Sequence, residues 1–494
     1  MDIFKRYRSI LPFLVLLIAV RIVLYALARP HWQDLVTPDT RQHLEVVYGL
    51  DRHARFAYSD SNKPYGPMDC SLRVNPLYPL FLTGILKSGN ILLGGRPDSS
   101  SADWPGKARL ENWSTITGQV RRVGFTTIHY DIIIFTQILF SILIGILVFY
   151  LADRYISLLA AKAALIFYIF NPPSSIFTVY VNTETMFTLL FTAGIAVLFH
   201  SFDEEGRKGI LYSIAAGLLT GIASLCRTIA LYFAAIVLLV MLLRGYRGYP
   251  LLKRYLSWNL GFLPLILLWI LRNFLAVGAP VFETISSRNI LLYRAGGVLS
   301  EVNGLSWEEN GARLYGILGE RIGDRDLNPA EYAAEEKRLG MEIIRKYPLQ
   351  AVKTTLLSFI RLMISPGRSE MGQVLGYYPT MLIEHNEVIH FYRYLNFTNL
   401  KKAVAGLKES MIWVIFLSWS YLSVLYISGI AGFAVMLRKN IFMSLSLMIT
   451  VAYFAALSSG PESVSRFRVP FVPFLCIFAG TGISLIIEYA RKRS

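Results

Sequence analysis

The apolar residues of this chain are gathered into runs close to the length of a membrane crossing, and no other feature of the sequence restricts its fold so strongly. A helix needs ~20 mostly apolar residues to cross the hydrocarbon of a bilayer. Ten runs approach or reach that length, at 11–28, 131–151, 156–172, 184–200, 209–226, 229–243, 257–276, 411–437, 441–458 and 469–489. Within lipid the backbone must satisfy its own polar groups, so such runs predict an all-α polytopic membrane protein of about ten transmembrane helices. With 54% hydrophobic and 17% charged residues, the 494-residue chain lacks the polar surface that a water-soluble protein of its size needs.

The formal charge of +16 does not mark a nucleic-acid surface, because the basic residues lie in short clusters between the apolar runs, as orientation signals do. With Lys5, Arg6 and Arg8 in the cytoplasm, Arg207-Lys208, Arg244/Arg247/Lys253/Arg254, Arg438-Lys439 and Arg491-Lys492-Arg493 all fall on that side. Both termini are then expected to be cytoplasmic. Residues 29–130 and 277–410 are sent to the outer face, with short turns around 171–183, 227–228 and 458–468. The expected organisation is an N-terminal transmembrane catalytic module over 1–276 that includes the outer loop 29–130, an outer-face segment with juxtamembrane helices over 277–410, and C-terminal transmembrane helices over 411–494. No small-residue cleavage site follows the first run, which reads as a retained span. Only Cys70 of three cysteines is expected outside, so no intrachain disulfide framework forms; no Cys/His metal cluster or Walker-type loop is present.

Thr37 and Pro38 have the chemistry of an N-cap and first helical residue, which predicts a helix through Arg52 with Asp39 in its opening turn. Leu44, Val47, Tyr48 and Leu50 give it an apolar side suited to the interface. A second juxtamembrane helix is expected from Pro76 to Lys87, and the Gly-, Pro- and Ser-rich stretch 89–122 reads as a loop. Further on, Asn328, Pro329 and Glu331 predict a helix that Pro348 ends. Residues 350–364 are apolar but carry Lys353 and Arg361, and are expected to lie on the surface or to insert partly. A full crossing there would place the clusters at 438 and 491 outside.

Several ionisable groups fall at the outer ends of these elements. Asp39 in a first helical turn is stabilised by the macrodipole by ~0.3–1 kcal/mol, which explains an acid there without any chemistry. Alternatively it takes a proton from an acceptor or binds a metal. Glu184, at the start of a span, carries the same pair of readings, and as a second acid would assist Asp39. Arg227 and Arg272 run against the inside bias, which snorkelling to headgroups would also explain. Arg466 and Arg468 join Arg73 as outer cations beside span entries, and guanidinium groups suit phosphate because several N–H donors reach its oxygens in fixed geometry. His43, four residues after Asp39, shares its helical face; it, His385 and His390 are assigned no role.

The order of these motifs resembles a known family. An external Pro38-Asp39 is followed by Arg73-x-Asn75-Pro-Leu-Tyr-Pro-Leu-Phe81, by a proline-containing turn with Thr183-Glu184, by Gly217 to Arg227, by Trp269-Ile-Leu-Arg272-Asn273 and by Arg466-Phe-Arg468-Val-Pro-Phe-Val-Pro473. Together they resemble the C-type polytopic glycosyltransferases, in the bacterial branch related to protein O-mannosyltransferases and to aminoarabinose transfer onto lipid A. The resemblance implies a polyprenyl-phosphate-linked sugar donor, an acceptor glycan, lipid or protein, and inverting transfer at the outer face. It implies Asp39 as base or metal ligand, Glu184 as second acid, and Arg73, Arg272, Arg466 and Arg468 on the donor phosphate. A divalent metal ion on Asp39 is the one cofactor it suggests, although the second acid that many relatives carry beside the first is missing here. A transporter or flippase of lipid-linked glycans, and an O-antigen-polymerase-like enzyme, are the competing readings. A transporter should show ionisable residues or broken helices near mid-membrane and often internal symmetry, whereas here the polar constellations cluster outside and no repeat is visible.

Overall fold

The computed structural model of the chain describes residues 8–56, 72–95, 123–377 and 409–493. Lys5, Arg6, Cys70, His385, His390 and most of the 89–122 loop lie outside them. The described residues are helical and contain no strand. Eight helices are long and apolar enough to cross a membrane: Leu11–Leu35, Thr127–Tyr155, Glu184–Asp203, Gly206–Cys226, Gly248–Val277, Met411–Lys439, Ile441–Ser458 and Ser465–Arg491. The runs at 156–172 and 229–243 form the shorter helices Leu158–Ile169 and Thr228–Leu243. Local chemistry shortens both. Asn171 accepts from Ser174 N at 3.0 Å and starts a separate turn, Pro172–Ile176. Arg227 is extended, and the chain re-enters as the 3-10 turn Thr228–Phe233.

Glu184–Asp203 and Ser465–Arg491 are the most enclosed spans, 72% and 78% buried, whereas Leu11–Leu35 and Gly248–Val277 at the rim are each 22% buried. Glu184–Asp203 packs on Gly206–Cys226 and on the 3-10 turn Ser465–Phe471, so the starts of two spans and the end of a third meet. Small residues allow close crossing nearby. A β-carbon on Gly217 would collide with the Trp258 carbonyl, and one on Gly261 with the Ile214 carbonyl, so Gly206–Cys226 and Gly248–Val277 touch backbone to backbone.

Outside the bundle, Pro38–His53 packs on Leu77–Leu92. Its N-terminus closes a capping box, with Thr40 N donating to Thr37 Oγ1 at 3.3 Å and Thr37 N to Thr40 Oγ1 at 3.1 Å. Pro329–Lys346 is capped by Asn328 and Glu331, as its sequence predicts. It shares a small core of Leu291, Ala295, Leu314, Leu318 and Leu339 with the segments before it. Pro348–Ile364 leaves Leu349, Val352, Leu356 and Ile360 exposed along one side, a row suited to a lipid surface.

Candidate active site

Four charged side chains meet where these elements converge. The capping box orients the opening turn of Pro38–His53, and Thr40 Oγ1 fastens that turn by donating to Val181 O at 2.7 Å. Asp39 is thereby held at the mouth of the bundle with its side chain 43% exposed, where Arg466 Nη2 pairs with its Oδ2. Arg466 also reaches Glu184: Nε lies 3.3 Å from Oε1, at ion-pair distance but without hydrogen-bond alignment. Glu184 is fully buried, and its Oε1 accepts a hydrogen bond from Arg227 Nη1 at 2.8 Å. The result is an alternating series, Asp39, Arg466, Glu184, Arg227, whose formal charges cancel. Phe467 lies against both cations, 5.0 Å from the Arg466 guanidinium and 5.8 Å from that of Arg227.

Electrostatics in this group follow from that order. Arg466 holds the Asp39 carboxyl below its ordinary range, against the opposing effect of burial, so Asp39 is ionised at neutral pH. His43 is 8% exposed and edge-on to Tyr78, with ring centroids 5.0 Å apart. Burial lowers its pKa to about 4 although Asp39 and Glu184 pull it up, so the imidazole is neutral. His43 Nδ1, the Tyr78 hydroxyl, Asn182 Nδ2 and Glu184 Oε2 are buried without a hydrogen-bond partner among the described residues. Buried polar atoms nearly always have partners, so such a concentration marks a place for water or ligand.

Of the six residues singled out from sequence, the structure brings Asp39, Glu184 and Arg466 together. Arg73 sits in a second group, where it and Arg288 draw down the carboxyl of Glu336 that burial pushes up. Tyr293 joins the two groups, since Asp39, Arg466 and Arg288 all act on its hydroxyl. Arg272 is elsewhere: it lies 5.1 Å from the rings of Phe56 and Trp269 and donates to Phe56 O and Asn273 Oδ1. Arg468 is fully buried and donates to the carbonyls of Leu362, Met363 and Ser365, tying the end of Pro348–Ile364 to the bundle. Arg227, which snorkelling would explain from sequence alone, and His43, which the sequence assigns no role, both lie beside these acids. The signal for Arg227 was its place on the side where few cations are expected.

A divalent ion on Asp39 has to contend with these neighbours. Among the described residues no group of three His, Cys, Asp or Glu side chains is placed to hold a metal. The two nearby carboxylates are already engaged by two guanidinium groups, which would repel a further cation. The described residues around Asp39, as they are paired here, do not fit a metal ion.

No protein-family model and no curated protein sequence matches this chain. Solved structures do. The archaeal oligosaccharyltransferase AglB of Archaeoglobus fulgidus, in complex with an inhibitory peptide and a dolichol-phosphate, aligns over 98% of this chain and 51% of its own, at 13% identity and a TM-score of 0.50. A second structure of the Archaeoglobus fulgidus enzyme, complexed with Zn and sulfate, aligns over 97% and 50% at 13% identity and a TM-score of 0.45. ArnT of Cupriavidus metallidurans bound to undecaprenyl phosphate aligns over 95% and 77%, at 14% identity and a TM-score of 0.38. The chain spans about half the length of the oligosaccharyltransferase that it matches. Its fold is that of the C-type membrane glycosyltransferases.

Proposed function

We propose that this protein is an inverting membrane glycosyltransferase that moves a sugar from a polyprenyl-phosphate donor to a hydroxyl or amine at the outer face of the membrane. The observation that carries this reading is the Asp39–Arg466 pair. It combines a half-buried, ionised acid and a guanidinium at the mouth of a bundle whose fold is shared with an oligosaccharyltransferase solved with a dolichol-phosphate.

In this mechanism the acceptor oxygen or nitrogen bonds to the anomeric carbon from the side opposite the phosphate, and its proton passes to the Asp39 carboxylate. The carbon–oxygen bond to phosphate breaks, and the lipid phosphate leaves with the electron pair. A carboxylate with a lowered pKa is a weak base, which suffices if the acceptor becomes acidic as its new bond forms. Negative charge grows on the departing phosphate, and a preorganised donor there contributes ~3 kcal/mol to the transition state. Arg466 and Arg227 are assigned that role, and Arg73, which with Arg288 acts on Glu336, is kept as a further phosphate contact. Arg272 and Arg468 are assigned to holding the fold, because both donate to neutral carbonyl and amide oxygens and pair with neither acid of the group. Glu184 keeps the two arginines in register.

The test is incubation of the purified chain with a panel of polyprenyl-phosphate sugars, followed by mass analysis of lipid, glycan and protein products. Transfer by the wild type and retained donor binding without transfer by Asp39→Asn are expected. Full activity of that variant would remove Asp39 from the mechanism. Lipid translocation without transfer would favour a flippase.

A further inference from the structure

Asp39 and Glu184 each open a separate helix, and one guanidinium stands between them. Arg466 reaches Oδ2 of the first with Nη2 and lies 3.3 Å from Oε1 of the second with Nε. Two carboxylates from different elements that share a single cation form the arrangement in which a divalent ion commonly sits, with water completing its shell. Here the cation is part of the chain. The other oxygen of Glu184, fully buried, has no hydrogen-bond partner among the described residues, so the acid retains coordinating capacity. Arg227 donates to Oε1 and leaves that oxygen untouched.

We propose that Arg466 is a tethered cation in the place of a metal between Asp39 and Glu184, and that removing its guanidinium uncovers a latent divalent-cation site on the two carboxylates. The guanidinium supplies one positive charge and directed N–H donors, so it fixes the aim of Asp39 without exchanging with solvent. It also keeps out a competing ion, because a divalent cation brought against it would meet repulsion from Arg466 and Arg227 together. With Arg466 truncated, two carboxylates face one another across the vacated volume with only Arg227 to compensate them. Such a pair either takes up a proton or captures a cation.

Two readouts separate this proposal from the transferase reading on which its activity arm rests. The first is Mn2+ uptake by the purified full chain, followed by loss of the free-ion EPR signal. Wild type and Arg466→Lys, which retain the charge, are expected to take up no stoichiometric Mn2+, whereas Arg466→Ala binds one ion at least about ten-fold more tightly. Arg466→Gln, which keeps side-chain donors, gives the same comparison if the alanine variant does not fold. Adding Asp39→Asn to either should abolish the new binding. The second readout is sugar transfer by wild type after exhaustive EDTA treatment, which is expected to be unchanged. Wild-type activity that is lost to EDTA and restored by a divalent ion overturns the proposal, as does a charge-removing variant that binds Mn2+ no better than wild type. Absence of transfer in every sample, with the Mn2+ pattern intact, removes the transferase reading and leaves the cation assignment standing.

Discussion

Arg466 and Arg468 are two residues apart on one 3-10 turn, and they serve different kinds of partner. Arg466 meets carboxylates at the mouth of the bundle, whereas Arg468 meets backbone carbonyls and the Tyr426 hydroxyl beneath it. Elsewhere in the bundle, Arg21 donates to Ser141 Oγ, Ile169 O and Ser175 Oγ, and Arg254 to Ser201 O and Glu204 O. These three arginines hold polar backbone and hydroxyl groups that lipid cannot satisfy. Arg466 is paired with acids instead. Partner type therefore distinguishes the two arginines of this turn better than burial alone, since Arg466 is itself only 22% exposed.

The largest effect that would sharpen this contrast is expected at Asp39. Asp39→Asn should lower transfer by roughly 10²–10⁴-fold, the usual contribution of a general base, with donor binding unchanged in a lipid-sugar binding assay. A ten-fold loss or less would place Asp39 with the structural residues. Next comes Arg468→Met, which leaves three buried carbonyls without their donor. It should lower unfolding stability by on the order of 3 kcal/mol in a thermal melt, while the folded fraction retains its specific activity. Loss of activity per folded molecule would break the distinction.

A smaller effect is expected from His43. Its folded pKa of about 4 lies below the ordinary 6.5, so the unfolded chain binds the proton more readily between those values. Its contribution is complete above pH 6.5 and is lost as pH falls toward 4, amounting to roughly 2 kcal/mol by pH 5. Melts of His43→Phe against wild type should lose that part of the acid sensitivity. Equal sensitivity in the two would mean that His43 is solvated. The smallest change is expected from Lys353→Met. Its 2.6 Å pair with Glu301 joins an exposed amine to a mostly buried acid, and surface pairs contribute up to ~1 kcal/mol, so the melting temperature should barely move.

Local signals carried much of the fold. Thr37-Pro38 and Asn328-Pro329-x-Glu331 announce helix starts because capping involves only neighbours in sequence, and the structure begins helices at Pro38 and Pro329. The apolar runs announce the long spans for the same reason. Where a cap falls inside a run, as at Asn171, length alone overestimates the helix. The pairing of Asp39 with Arg466 bridges 427 positions, and no local pattern encodes it. Nor could sequence tell Arg466 from Arg468. On a turn of three residues, positions two apart point in different directions, and the neighbours that await each are set by tertiary packing. Arg227 was legible only as a cation on the wrong side.

The uneven enclosure of the spans has a mechanical consequence. Glu184 and Arg466 sit at the heads of the two most enclosed helices, which behave as central posts, while Leu11–Leu35 and Gly248–Val277 form the outer staves. A bilayer that thins or thickens acts first on helices that touch lipid, which answer by tilting. The posts are shielded from that strain by the staves around them. Of the four charged side chains, only Asp39 hangs from a helix that is not a span, and Arg466 together with the Thr40–Val181 bond keeps it aligned with the posts.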